Sequence, residues 1–249
     1  PQLKLIQRLG SLTYDIDIKA AKAAGIAVCY WPVESVIRVA EHTIMQLLAV
    51  GKKLRERETI ALVAGTEWKE SKRTTEDTFA YNWSERQNVN QLWHRTVGIV
   101  GLGEIGVEVA RRLKSWGCNI LYHKRRRLPP GTEAELDLTY VESGELYAQS
   151  DYLVNLLPYY PSTDQLLDKG VFTQMKNGAF LVSCGSGSII DENALAEAIA
   201  TGKLAGAALD TFEYEPVRAD NPLLALARTG HNVVLTPHTA AALPRTSAH

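Results

Sequence analysis

Thr96-Val97-Gly98-Ile99-Val100-Gly101-Leu102-Gly103-Glu104-Ile105-Gly106 is the stretch from which the rest of the chain can be read. An apolar, β-branched run stops at Gly101, and from Glu104 the apolar spacing turns helical through Val107, Ala110 and Leu113 to Trp116. Gly-x-Gly-x-x-Gly therefore falls where a strand becomes a helix. In that setting Gly101 turns the chain off the strand, Gly103 lets a pyrophosphate approach the backbone, and Gly106 lets the helix pack on the sheet. The first helical turn, from Leu102 and Gly103 to Glu104 and Ile105, offers unpaired N–H groups and a positive dipole end to phosphate. The stretch predicts a dinucleotide site.

Outward from it, composition narrows the choices. The chain has 249 residues, 45% hydrophobic and 22% charged, with 27 Lys and Arg against 28 Asp and Glu, so there is no basic field to attract nucleic acid. No run of apolar residues is long enough to span a membrane, and the start does not read as a leader, which predicts a cytoplasmic protein without a membrane partner. Cys29, Cys118 and Cys184 are far apart and form no metal-ligand pattern, so no metal is expected and each reads as a small hydrophobe. Both ends read as cut: Pro1 directly precedes a strand-like run, and His249 follows soon after a strand end.

Before the motif, Leu3–Leu9 reads as a strand stopped by Gly10-Ser11. Asp15 or Asp17 caps a short helix over Ile18–Ala24, and Ile26–Tyr30 is a second strand. After Pro32 a long amphipathic helix is expected from Val36 to Arg55, with Val39, Ile44, Leu47, Leu48 and Leu54 on its apolar face. Thr59–Arg95 reads as irregular and polar, yet it carries Trp68, Phe79, Tyr81, Trp83 and Trp93. It is either an arm packed on another subunit or a loop folded over its own domain.

Beyond the motif, strands are expected at Asn119–His123, Tyr152–Leu156, Ala179–Ser183, Leu204–Leu209 and Val233–Leu235. Helices are expected at Lys169–Met175 and Asp191–Thr201. Such alternation means a doubly wound, parallel α/β sheet of Rossmann type, whose ligands lie at the carboxyl ends of the strands. Gly101, Lys124, Pro158, Gly185, Asp210 and His238 fall at those ends, with Cys184 and Ala240 beside them.

Eighteen positions past Gly106 the chain reads Lys124-Arg125-Arg126-Arg127. An acid there would hydrogen-bond the adenosine ribose of NAD, whereas cations bind the extra phosphate of NADP. The expected cofactor is NADP(H), with NAD possible; the alternative for this run is a solvated basic turn.

Three further segments complete a resemblance. They are Leu181-Val182-Ser183-Cys184-Gly185-Ser186-Gly187-Ser188-Ile189-Ile190-Asp191-Glu192, then Gly206-Ala207-Ala208-Leu209-Asp210-Thr211-Phe212-Glu213-Tyr214-Glu215-Pro216, then Leu235-Thr236-Pro237-His238-Thr239-Ala240. With Val39-Ala40-Glu41-His42-Thr43 and the glycine motif, the chain resembles the D-isomer-specific 2-hydroxyacid dehydrogenases along essentially its whole length. The resemblance implies a second, smaller flavodoxin-like substrate domain, incomplete here. Its part would be residues 1–34, with 35–237 as the cofactor domain including dimerisation helix and arm, and 238–249 returning towards the substrate domain. It also implies a homodimer.

It further implies that His238 and Glu215 work as a catalytic pair and that Asp210 holds the nicotinamide carboxamide. The residue types suit the chemistry. Reduction of a ketone by hydride leaves an alkoxide that needs a proton, histidine titrates near neutral pH, and a carboxylate on its far nitrogen fixes the tautomer. One departure stands out. Where the family has an arginine that grips the substrate carboxylate, this chain has Ser186; Ser35, Val33 and the region near Leu12 differ too. Either Arg38 or Arg8 brings a guanidinium from another direction, or the substrate carbonyl does not adjoin a carboxylate. The expected activity is hydride transfer between NADP(H) and a small 2-oxo or 2-hydroxy acid or related carbonyl compound. The alternative is a weakly active or inactive dinucleotide-binding scaffold or co-repressor.

Overall fold

The computed structural model describes residues 3–9, 16–31, 33–63 and 70–242. The expectations placed on Gly10-Ser11, Leu12, Asp15, Pro32, Trp68 and the segment 243–249 lie outside the described residues.

β1 (Leu5–Leu9) and β2 (Ala27–Trp31) pair in parallel through α1 (Ile18–Ala23). Asp17 supplies the cap: its carboxylate accepts the Ala20 N–H at 2.8 Å. Leu5, Tyr30 and Trp31 on these strands are exposed.

The long helix is shorter than its apolar pattern suggested. α2 (Glu34–Gly51) stops, Lys53 takes a left-handed φ of 50°, and a separate α3 (Leu54–Val63) follows. The cause lies in the last carbonyls of α2. Gly51 O accepts the Asn90 N–H at 2.9 Å and Val50 O accepts Asn232 Nδ2 at 2.9 Å, so these carbonyls are satisfied by other loops and not by a further turn. Leu54 is exposed in consequence, and the segment from Thr59 to Val63 is helical, not irregular.

From Thr96 the chain builds one parallel sheet. Its strands are β3 (Thr96–Val100), β4 (Asn119–His123), β5 (Leu138–Tyr140), β6 (Tyr152–Asn155), β7 (Ala179–Ser183), β8 (Leu204–Leu209) and β9 (Val233–Leu235). The spatial order is β5-β4-β3-β6-β7-β8-β9, with every pairing parallel. The order reverses between β3 and β6, which is the place where such sheets open a ligand crevice.

Both faces are covered, and the strands show it residue by residue. Val97, Ile99, Ile120, Tyr122, Tyr152, Val154, Phe180 and Val182 enter one core with residues of α2 and α4 (Glu104–Lys114). Val100, Leu121, Leu153, Leu181, Ala207 and Leu209 enter the other, with α6 (Ser143–Gln149), α7 (Lys169–Gln174) and α8 (Glu192–Ala200). Near-continuous apolar strands buried on both sides are what a parallel sheet requires.

Four short elements were not anticipated: α5 (Pro130–Leu136), β5, α6 and α9 (Pro222–Arg228). Each spans seven residues or fewer, too short for a period to declare itself. Local chemistry specifies two of them. Pro130 opens α5, which ends on left-handed Asp137, and Asn221 caps α9 by accepting the Leu223 N–H at 2.9 Å.

Candidate active site

The glycine motif is arranged for a phosphate. Gly101 has φ +88°, and a Cβ there would stand 2.8 Å from Leu157 N, so the turn off β3 admits no side chain. A Cβ on Gly106 would press on Leu102 and on Gly101 O, which keeps α4 close to the sheet. Gly103 differs: a Cβ there would meet nothing within 4 Å. Its missing side chain therefore leaves space open at the start of α4, where unpaired N–H groups gather. These residues fit a dinucleotide pyrophosphate.

That space belongs to a cleft of about 670 Å³ along the carboxyl edge of the sheet. Of the residues expected at the cofactor, Gly101, Gly103, Glu104, Ile105, Pro158, Cys184 and Gly185 line it, together with Ser186, Glu215 and His238. The Leu102 side chain is instead buried in the core, and Gly106 acts in packing. Leu157, Thr211, Phe212 and Glu213 also line the cleft; the last three lie in the quoted Gly206–Pro216 segment, but none of the four was singled out as a site residue.

At the far end of the cleft His238 Nδ1 lies 2.6 Å from Glu215 Oε2. Phe212 N–H donates to Glu215 Oε1 at 3.0 Å, which fixes the carboxylate from behind. His238 itself has a left-handed φ of 53°, an uncommon conformation for a residue with a side chain. Its N–H donates to Asp210 O at 2.8 Å, and the Asp210 side chain holds the turn that follows.

The buried Asp210 carboxylate accepts the Thr236 hydroxyl at 2.5 Å, the Thr239 N–H at 3.0 Å and the Ala240 N–H at 2.9 Å. Asp210 and Ala240 do not line the cleft: the acid is turned into the β9 loop, and Ala240 is buried as one of its donors. From α2, His42 Nε2 reaches Thr236 Oγ1 at 3.0 Å and stands 3.3 Å from Asp210 Oδ1, while Gln46 Nε2, one turn on, reaches the same hydroxyl at 3.2 Å. His42 and Gln46 sit four apart on one helix face, a spacing legible in the sequence only once a partner is known.

Cys184 donates to Gln46 Oε1 at 3.2 Å, and burial pushes its thiol up to about 12. It is a wall of the cleft and no nucleophile. Ser186 is fixed by its N–H, which donates to Leu157 O at 2.9 Å. It is also fixed by Gly187, whose Cβ would collide with the Phe212 carbonyl group. Neither Arg8 nor Arg38 is among the described residues lining the cleft, and Arg38 pairs with Glu34 on its own helix at 3.3 Å.

The basic run follows β4. Lys124, Arg125 and Arg126 stand outside the cleft lining, and the Arg125 guanidinium lies 5.7 Å from the Tyr160 ring in the loop after β6. Arg127 is occupied otherwise, by a two-pronged pair with Glu133 at 2.8 Å on each prong.

Comparison with known proteins agrees with this geometry. Residues 44–240 match the profile of the NAD binding domain of the D-isomer specific 2-hydroxyacid dehydrogenases, and the chain belongs to that family. It is 38% identical over 240 residues to a D-3-phosphoglycerate dehydrogenase of Archaeoglobus fulgidus, a match covering 96% of this chain and 41% of the relative. It is 33% identical over 243 residues to a glyoxylate reductase of Korarchaeum cryptofilum, covering 97% of this chain and 68% of that one. Among solved structures, D-mandelate dehydrogenase of Rhodotorula graminis superposes with a TM-score of 0.72 at 26% identity, over 97% of this chain and 66% of that one. The chain thus spans about two fifths of the first relative's length. The domain is of the kind that binds a nicotinamide dinucleotide. No helix among the described residues is long and apolar enough to cross a membrane.

Proposed function

We propose that the chain is the cofactor-binding part of an oxidoreductase that moves a hydride between NADP(H) and a small 2-oxo or 2-hydroxy acid or related carbonyl compound. The observation that carries the reading is the His238–Glu215 pair, held at 2.6 Å in the same cleft as Gly101 and Gly103. The bound nicotinamide would supply or accept the hydride. The chain's own part is the proton. With Nδ1–H donating to Glu215, His238 keeps Nε2 as the nitrogen that gives a proton to the nascent alkoxide and recovers it from solvent. Glu215 fixes the orientation of the ring and the tautomer it presents.

The preference for NADP(H) is supported by Lys124, Arg125 and Arg126 at the end of β4, where an acid would repel a second phosphate. Asp210 enters the same reading in a changed role: its carboxylate is engaged with Thr236, Thr239 and Ala240, so it supports the nicotinamide end by shaping the turn that carries His238.

Residues 35–237 form the cofactor domain, and residues 1–34 belong to the substrate domain, with residues 238–249 returning to it. A homodimer, in the cytoplasm, is part of the reading. The exposed faces support it: Phe79 is 82% and Tyr81 83% exposed, so these two rings are not folded into the chain's own core, and an apolar groove between Met45, Leu48 and Trp116 runs along α2. Sedimentation as a monomer at micromolar concentration would exclude this assembly.

Ser186 favours a second reading, a dinucleotide-binding scaffold or co-repressor of little activity, because a serine cannot clamp a carboxylate as a guanidinium does. One experiment separates the two. The full-length protein is given NADPH and a panel of 2-oxo acids beside ketones and aldehydes without a carboxylate. Turnover of either group supports the oxidoreductase, and tight NADPH binding without turnover supports the scaffold.

A further inference from the structure

We propose that Glu133, through Arg127 and Tyr122, is a positioning residue for cofactor selection: it pins the turn after β4 so that Lys124, Arg125 and Arg126, and not Arg127, meet the adenosine phosphate. The inference rests on the NADP(H) reading above and names the device behind it.

Glu133 lies on α5, outside every motif, and is almost fully buried. Its two oxygens gather the whole turn. Oε1 accepts the Tyr122 hydroxyl at 2.6 Å and Arg127 Nε at 2.8 Å, and Oε2 accepts Arg127 Nη2 at 2.8 Å. The Tyr122 oxygen, at the buried end of β4, in turn accepts the Leu128 N–H at 2.9 Å. Arg127 and Leu128 are thus tied, by side chain and by backbone, to one carboxylate–phenol pair. Leu128 is itself sunk in the core beneath. The Arg127 guanidinium also lies 5.4 Å from the Tyr140 ring on β5, which places it over the outer edge of the sheet.

The turn is therefore held at its far end by Glu133 and at its near end by β4, where His123 Nδ1 contacts Val141 O at 3.0 Å. Between the two anchors run Lys124, Arg125 and Arg126, with Arg125 drawn towards Tyr160 across the cleft edge. The bidentate carboxylate takes two of the five N–H donors of Arg127 and pairs its charge, so this guanidinium has less attraction left to offer a phosphate. Four cations in a row so become a cluster of three with a fixed exit direction. Pre-organising long basic side chains lessens the ordering that binding must supply. Burial and the Glu133 carboxylate push the Tyr122 hydroxyl far above its ordinary range, so it stays a donor at all working pH values.

The test is binding, read by quenching of protein fluorescence on the purified full-length protein. Dissociation constants for NADPH and NADH are measured for the native protein and for Glu133→Gln, Tyr122→Phe and Arg127→Gln. Glu133→Gln is expected to weaken NADPH about tenfold and NADH less than twofold, although it makes the protein more positive. Tyr122→Phe should do the same more mildly, and Arg127→Gln should match Glu133→Gln. An Arg127→Gln loss of NADPH affinity far beyond that of Glu133→Gln would make Arg127 a direct phosphate ligand and overturn the inference. Equal weakening of both cofactors, or no change, overturns it as well. If the native protein binds NADH as tightly as NADPH, the NADP(H) reading itself has failed, and the inference with it.

Discussion

His238 Nδ1 lies 2.6 Å from Glu215 Oε2, while the opposite oxygen of Glu215 accepts the Phe212 N–H at 3.0 Å, so one carboxylate joins the turn after β9 to the loop after β8. The histidine's left-handed backbone is held by its own N–H on Asp210 O. Strain of this kind persists only where the surroundings over-determine it, and here Asp210, Thr236 and Thr239 do so.

This geometry predicts unequal losses. His238→Gln removes the proton donor and should lower kcat by about 10²–10⁴-fold, the usual range for general acid–base catalysis, with NADPH affinity unchanged. Glu215→Gln can keep an acceptor for the Phe212 N–H but replaces the charge-assisted bond to His238 with a weaker neutral one, so the ring is oriented less firmly and kcat should fall by less. Steady-state kinetics beside a cofactor titration reads both. A large loss of NADPH binding in His238→Gln would show that the histidine serves the nucleotide instead.

Two glycines two residues apart should answer alanine in opposite ways. At Gly103 a Cβ meets no protein atom, so Gly103→Ala should leave stability unchanged or slightly raised, and should weaken NADPH at least tenfold by filling the phosphate space. At Gly101 the φ of +88° and the Leu157 backbone 2.8 Å away should make Gly101→Ala cost about 1–3 kcal/mol of folding stability. Urea unfolding and NADPH titration of both variants give the comparison. Unaltered binding by Gly103→Ala would move the pyrophosphate away from the motif.

The cysteines should separate by environment. Cys29 is exposed, Cys118 is buried, and burial pushes the Cys184 thiol up to about 12 although it lines the cleft. Iodoacetamide at pH 8 should therefore alkylate Cys29 in the native chain and spare Cys118 and Cys184 until denaturant is added, as peptide mass spectrometry would show. Early labelling of Cys184 would contradict the closed contact with Gln46.

How far the sequence led follows from what each residue answers to. The strands β3, β4, β6, β7, β8 and β9 and the helices α4 and α8 were legible because both faces of a parallel sheet are buried, which writes apolar runs and glycine stops into the chain. The break between α2 and α3 was not, since Gly51 and Val50 spend their carbonyls on Asn90 and Asn232, partners far along the chain. The site showed the same division. Strand-end residues such as Gly101, Gly185 and His238 were placed by topology and Glu215 by the family resemblance, and the cleft gathers them. Asp210 was placed correctly at a strand end, yet its direction depended on Thr236, Thr239 and Ala240 nearly thirty positions on. Arg127 looked identical to its three basic neighbours until Glu133 was found beneath it.

That last contact carries a pH dependence of defined sign. The Arg127 hydrogen bonds, opposed by burial and helped by Tyr122, hold the Glu133 carboxyl below the usual carboxylate range. In the unfolded chain a glutamate titrates near 4.3, so its contribution to stability is fully present above about pH 4.3 and is lost as pH falls through the lower, folded value. Glu133→Gln should therefore destabilise the chain at pH 7 by about 1 kcal/mol, no more, because Arg127 is half exposed and its charge is screened by solvent. The deficit should shrink as pH falls below about 4.3, because the unfolded carboxyl then takes up a proton that the native one, titrating lower, does not yet bind. Urea unfolding of the two proteins at pH 7 and in acid measures the difference. A deficit that stays constant with pH would mean that the shape of the Glu133 side chain, and not its charge, holds the turn.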